Sequence, residues 1–309
     1  MSVVRRRETL GDEPASITVH HLVADEPGPA VALIGGIHGD ELEGVAAVRM
    51  LIRRLEASLE CGSVRAVDVA NPPAFAARTR TSPLDDVNLA RIFPGRADGS
   101  PSDKIADLIV DAVIDGSDVL VDLHSAGGEY AMPWFVGYVA TQDDAGARAA
   151  ALARDFAAPL IWAHNAVNPG RTLTVAVERS IPALYVEGSG GSALRAREVH
   201  GYVDGVLRVL HSLGMVDDAP APVSPSKLLV GGAGDVDASV ACRSAGWCMT
   251  IVAPGEEVRA GDLLAEIVDT SGEVIEGVTA PVDGTVMLIR RRAEVAPGTA
   301  IAMLGPVPA

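Results

Sequence analysis

Cysteine is scarce in this chain. Three residues of 309, Cys61, Cys242 and Cys248, are too few and too badly spaced for a disulfide framework or a cysteine zinc site. Buried thiols in a reducing compartment are expected instead. Aromatic residues are few as well, at 4%, against an apolar share of 48% that is ordinary for a globular protein. Positive charge is in deficit: 25 Lys and Arg face 41 Asp and Glu, for a formal charge of −16. That balance argues against nucleic acid, which wants a basic face, and against an anionic membrane surface. A small anionic substrate stays open, because a few arginines in a cleft reverse the sign locally. No apolar run reaches membrane-spanning length, and Arg5, Arg6 and Arg7 are not followed by the apolar region of a signal peptide. A soluble, cytoplasmic protein is expected, with no nucleic-acid or membrane partner. No internal repeat is present, and the length allows one to three domains.

What is present is organised around residues 35–44, GGIHGDELEG. The apolar run 30–34 before it reads as a buried strand. After it, Val45, Val48, Leu51, Ile52, Leu55 and Leu59 recur at helical spacing. His38 and Glu41 therefore lie on the turn from a strand's carboxyl end into a helix, where open α/β sheets bind ligands. An imidazole and a carboxylate at that spacing can meet one zinc ion.

The pattern recurs. Residues 118–123 form a second apolar strand, which delivers His124 to a glycine-containing turn. Two neighbouring parallel strands ending this way bring His124 beside His38 and Glu41, giving zinc three ligands and leaving a fourth position open. Asp122, two residues before His124, could orient an imidazole, but the reading as an ordinary polar strand residue is preferred. His164, after the short strand 159–162, ranks below His124 as a ligand. Residues 181–187 end a further strand in Glu187, a carboxylate where burial is expected, and a general base is one reason for it. Helices are expected over 100–115, opened by Ser100 and Pro101, and over 145–156 and 194–213. A helix is also expected over 171–178, with Arg171 at its start. Residues 16–23 are read as an edge strand and 64–70 as a strand stopped by Pro72 and Pro73. The long loop 78–95 carries Arg78, Arg80 and Arg91, which can grip a carboxylate. Domain boundaries are set at 1–218 for an α/β domain, 219–226 for a proline-rich linker and 227–309 for a small all-β domain. Residues 253–267 and 280–286 of that last part resemble the biotinyl/lipoyl-type β-sandwich. No lysine occurs after Lys227 to carry a prosthetic group, so the resemblance implies shape alone.

The order and spacing of His38-x-x-Glu41, Asn71-Pro72, the loop from Asn88 to Gly95, Asp122-Leu123-His124 and Val186-Glu187-Gly188 resemble the succinylglutamate desuccinylase/aspartoacylase family of zinc amidohydrolases. The resemblance covers most of residues 28–215. It implies a three-layer α/β/α, zinc-carboxypeptidase-like domain with a mixed, mostly parallel sheet. It also implies one zinc ion per chain held by His38, Glu41 and His124, with Glu187 as general base and then acid. Arg80, preferred by spacing over Arg78, matches the carbonyl-polarising arginine, and Arg91 matches the arginine that holds the substrate carboxylate. Arg171 is a further candidate there. The chain departs from the family at Ala90, where asparagine is usual, and Asn88 is a partial substitute. The implied reaction is hydrolysis of an amide bond in a small N-acylated amino acid or amine. Acetyl, succinyl and aspartate-derived substrates stay open, an N-acetyl diamino acid among them. So do a metallocarboxypeptidase acting on short peptides, a non-catalytic binding homologue and assembly as a homo-oligomer.

Overall fold

The protein is described by a computed structural model over residues 3–222, 226–234 and 239–308. In chain order the first part comprises β1 (Val3–Leu10), β2 (Ile17–Ala24), β3 (Glu26–Gly35), α1 (Leu42–Ser58), β4 (Cys61–Val67), α2 (Pro72–Ala77) and α3 (Pro101–Ile109). β5 (Val119–Leu123), β6 (Tyr130–Ala131), β7 (Phe135–Val139), α4 (Asp144–Phe156), β8 (Leu160–His164) and α5 (Thr172–Glu178) follow. β9 (Ala183–Glu187), α6 (Ala196–Ser212) and β10 (Lys227–Val230) complete it.

Nine of these strands form one mixed sheet in the order β1-β2-β4-β3-β5-β9-β7-β8-β10. The centre, β4-β3-β5-β9, is parallel throughout. Strand periodicity divides the core. Val31 and Leu33 face α1, α4 and α6, whereas Ala32 and Ile34 face α3 and α5. Helices thus cover both faces, as the buried parallel strands require. α3 opens with a reciprocal cap between Ser100 and Asp103, and a π turn over Val110–Ile114 extends it.

Three features differ from the sequence expectation. Ile17–Ala24 is not an edge strand, because β1 flanks it, and the exposed arginines of β1 hide that strand's periodicity. Pro72 and Pro73 do not merely stop β4; they open α2, whose cap is the Asn71 side chain accepting from Ala74 N at 3.3 Å. Lys227–Val230, expected to open the C-terminal β region, pairs in parallel with β8 and extends the large sheet. Of the linker expected over 219–226, residues 223–225 lie outside the described residues.

Beyond β10 the chain is all β among the described residues: β11 (Val240–Ala241), β12 (Gly246–Thr250), β13 (Glu257–Val258), β14 (Leu263–Val268), β15 (Val274–Thr279), β16 (Gly284–Arg290), β17 (Glu294–Val295) and β18 (Ala300–Gly305). They form two sheets, β11-β18-β16-β13 and β15-β14-β12-β17, around a core that includes Leu264, Ile267, Val286 and Ile301. The two parts of the molecule are stitched together. β6 pairs with β16, and Arg290 reaches Glu129 at 2.8 Å. Phe135, Trp162, Leu229, Met287 and Met303 share one apolar cluster. All three cysteines are free thiols, and no described helix is long and apolar enough to cross a membrane.

Gly44 lets α1 lie directly on β5: a Cβ there would stand 2.3 Å from the Leu123 carbonyl oxygen. Gly44→Ala should destabilise the protein by about 1–3 kcal/mol through forced displacement in a packed core, read as a lower urea midpoint.

Candidate active site

β3, β5 and β9 lie side by side and run the same way, so their carboxyl ends form one row. That row presents His38 from the turn after β3, His124 from the turn after β5, and Glu187 as the last residue of β9. Glu41 stands at the residue before α1, with its carboxylate turned to the cluster instead of capping the helix. The turn packs tightly, since a Cβ on Gly39 would lie 2.0 Å from the Ala74 backbone.

Glu41 joins the two histidines. Its Oε1 lies 2.7 Å from His38 Nδ1, and its Oε2 lies 2.9 Å from His124 Nδ1. The ring centroids are 5.2 Å apart, and one ligating atom from each residue falls within 4.8 Å of the others. The outer ring nitrogens are anchored: His38 Nε2 meets Asn88 Oδ1 at 3.0 Å, and His124 Nε2 meets Asp122 Oδ2 at 3.1 Å. Both rings therefore turn Nδ1 inward, which is how imidazoles are oriented for a metal. Arg80 NH1 rests 3.0 Å from Glu41 Oε1 and 3.4 Å from His38 Nδ1, placing positive charge beside the same donor atoms. Two imidazoles and a carboxylate, all buried and convergent, fit zinc.

Burial disfavours the charged forms here, and neighbouring charges answer it. Burial and then Arg80 lower the pKa of His38. Burial opposes charge on His124 too, yet Asp122 and Glu41 outweigh it and raise that pKa well above the usual histidine value. Burial likewise opposes the Glu41 anion, but His38 and His124 hold its pKa well below the usual carboxylate range. For Glu187 the compensation falls short. Burial, reinforced by the charge on Glu41, pushes its pKa up to about 8 against the pull of His124 and Arg80. Its Oε2 is buried without a hydrogen-bond partner.

A cleft of about 120 Å³ opens in front of the row, lined by His38, His124, Glu187, Arg80, Ala90, Arg91 and Arg171 among others. Arg171 stands at the start of α5, as the sequence predicts. Asn88 does not line this cleft: its Oδ1 meets His38 Nε2 and accepts from Ala90 N at 3.0 Å. His164 does line it, but stands outside the ligand cluster, with Nε2 2.7 Å from the Tyr185 hydroxyl. Burial lowers its pKa to about 4, so the ring is neutral.

Asp122 corrects the sequence reading. It is fully buried, bonded to His124, and accepts from Thr172 Oγ1 at 2.6 Å. The Asp-x-His spacing at a strand end was the available signal for it; Thr172 offered none. Two further supports escaped the sequence. Ser125 N donates to Glu41 Oε2 at 3.1 Å, while Ser125 Oγ donates to the buried Glu43 at 2.7 Å. Asp122→Asn should weaken zinc binding about 10- to 100-fold in a chelator competition while the circular dichroism spectrum stays unchanged.

Residues 27–213 match the family model described as the succinylglutamate desuccinylase/aspartoacylase catalytic domain. The chain is 32% identical over 285 residues to the N-alpha-acetyl-L-2,4-diaminobutyric acid deacetylase of Halomonas elongata, covering 91% of this chain and 83% of that one. Among solved structures it is similar to a succinylglutamate desuccinylase from Silicibacter sp. (TM-score 0.86, 27% identity, 99% of this chain and 94% of that one). It is similar as well to the product-bound Ectoine utilization protein EutE (DoeB) from Ruegeria pomeroyi (TM-score 0.88, 26% identity, 99% and 95%). With that match over most of the α/β part and a relative sharing nearly its whole length, the chain belongs to the succinylglutamate desuccinylase/aspartoacylase family of amide-hydrolysing enzymes.

Proposed function

We propose that this protein is a zinc-dependent amidohydrolase that removes the acyl group from a small N-acylated amino acid, N-acetyl diamino acids being the first class to test. The observation that carries this reading is the row of strand ends: two imidazole Nδ1 atoms converge on the two oxygens of Glu41, with the unpartnered carboxyl of Glu187 beside them. The Halomonas elongata relative, named for an N-acetylated diaminobutyric acid, supports the choice of substrate.

His38 Nδ1, Glu41 and His124 Nδ1 would hold the ion. Bound there, zinc supplies a Lewis acid that polarises the amide carbonyl and makes water easier to deprotonate. Glu187 takes a proton from the attacking water and passes it to the departing nitrogen. A carboxyl whose pKa lies near neutrality is suited to both transfers, and burial sets it there. Arg80, partly exposed beside Glu187, donates to the oxygen that becomes negative in the tetrahedral state. Arg91 and Arg171 supply guanidinium charge for the substrate carboxylate in the cleft. Ala90 lines the same wall without a donor. Carboxylate recognition then rests on the guanidiniums, with Asn88 holding His38.

The test is turnover of N-acetyl-L-2,4-diaminobutyrate by zinc-reconstituted protein beside a panel of short peptides. Hydrolysis of the acylated amino acid, lost on chelation and restored by zinc, is expected; cleavage confined to the peptides would overturn the reading. Glu187→Gln should lower kcat by about 10²- to 10⁴-fold with zinc content unchanged. Arg80→Ala should lower it by about 10²- to 10³-fold.

A further inference from the structure

Among the described residues a second cavity besides the cleft reaches the cluster. The second, of about 370 Å³, lies between the turn after β5 and the C-terminal strands. It shares Arg80, Met132 and Glu187 with the cleft and adds Glu41. On the C-terminal side its wall is Ser239, Ala241 of β11, Leu288 of β16, Gly298 and Ala300 of β18. The pairing of β6 with β16 holds that wall against the catalytic part. Resting on the amidohydrolase reading above, we infer that this second cavity is the acyl-side pocket, and that it takes uncharged acyl chains longer than acetyl.

Charge fixes which half of the substrate lies on which side. Arg91 and Arg171 line the cleft and not the second cavity. The carboxylate-bearing amine half therefore belongs in the cleft. The acyl half then extends past Arg80 and Glu187 into the second cavity. Size argues for a longer chain: an acetyl methyl, comparable to one water at roughly 30 Å³, fills little of that space. Lining chemistry argues for an uncharged one. Apart from Arg80, Glu41, Glu187 and Glu129, the described lining residues are neutral: Ala126, Met132, Ala241, Leu288, Gly298 and Ala300 are apolar, and Ser125, Tyr130 and Ser239 carry uncharged hydroxyls. Arg80 is the sole cationic side chain among the described lining residues, and it is bonded to Glu41 at 3.0 Å. Glu129, which also lines the cavity, is paired with Arg290 at 2.8 Å and Arg292 at 3.5 Å. A succinyl carboxylate would meet carboxylates there and lose its solvation without a matching partner.

The experiment compares Nα-acetyl-, propionyl-, butyryl- and succinyl-L-2,4-diaminobutyrate on the zinc-loaded full chain. The butyryl compound is expected within about tenfold of acetyl in kcat/KM, and succinyl at least about a hundredfold below. Ala241→Phe, at an exposed position on the wall, should cut butyryl turnover at least about tenfold more than acetyl turnover. The ratio is taken within one preparation, so partial loss of folded protein cancels. If Ala241→Phe does not fold, Ala300→Leu gives the same ratio. Acetyl hydrolysed but butyryl refused, succinyl equal to acetyl, or both chain lengths falling alike in the variant would each overturn the pocket while sparing the deacylase reading. No turnover of any of the four would overturn both.

Discussion

A carboxylate taken out of water must find its compensation inside the protein, and Glu41 is where this molecule meets that constraint. Each of its oxygens faces a histidine, and Arg80 and the Ser125 amide add two donors. These partners come from three separate places: the turn after β3, the turn after β5 and the long loop containing Arg80. Satisfying one buried anion thus registers β3 against β5 and brings the loop over the sheet. The same demand aligns both imidazoles, because Asn88 and Asp122 occupy the opposite ring nitrogens. Glu187, left without such donors, stays high in pKa and able to exchange a proton.

The strand-end histidines and Glu187 were legible because each is delivered by an apolar run and followed by a turn. Side-by-side parallel strands turn that one-dimensional pattern into a row. Asp122 was not legible in the same way. A carboxylate inside a strand looks alike in sequence whether it faces solvent or an imidazole. Only the start of α5, fifty positions on and bringing Thr172, makes it a buried support. Asn88, offered as a partial substitute for the family's asparagine, depends on a local conformation that the spacing does not reveal, an extended segment being the simplest expectation. The chain instead turns into a short 3-10 helix at Leu89–Arg91, which Asn88 caps while reaching His38.

Elements at the sheet margins were the hardest to read. β1 has one strand partner and a mostly exposed surface, so Arg5, Arg6 and Arg7 obscure any alternation. β10 is four residues long, and its place beside β8 depends on a register set by residues 67 positions earlier, with Lys227 opposite Leu160. Neither signal is local: composition groups residues 227–230 with the C-terminal β region, and the pairing of β10 with β8 emerges only in the folded sheet.

That strand has a consequence for how the protein can be divided. Trp162 Nε1 donates to the Gly231 carbonyl at 2.8 Å, and Leu229 bridges to Pro308 near the far end of the chain. The tail of the polypeptide is thus fastened to the sheet that carries the candidate metal ligands. Trimming the gene after α6 would bare the backbone of β8 and strip the cover from Trp162, creating an adhesive margin in a fragment that still holds every candidate ligand. The two parts are better expressed as one unit.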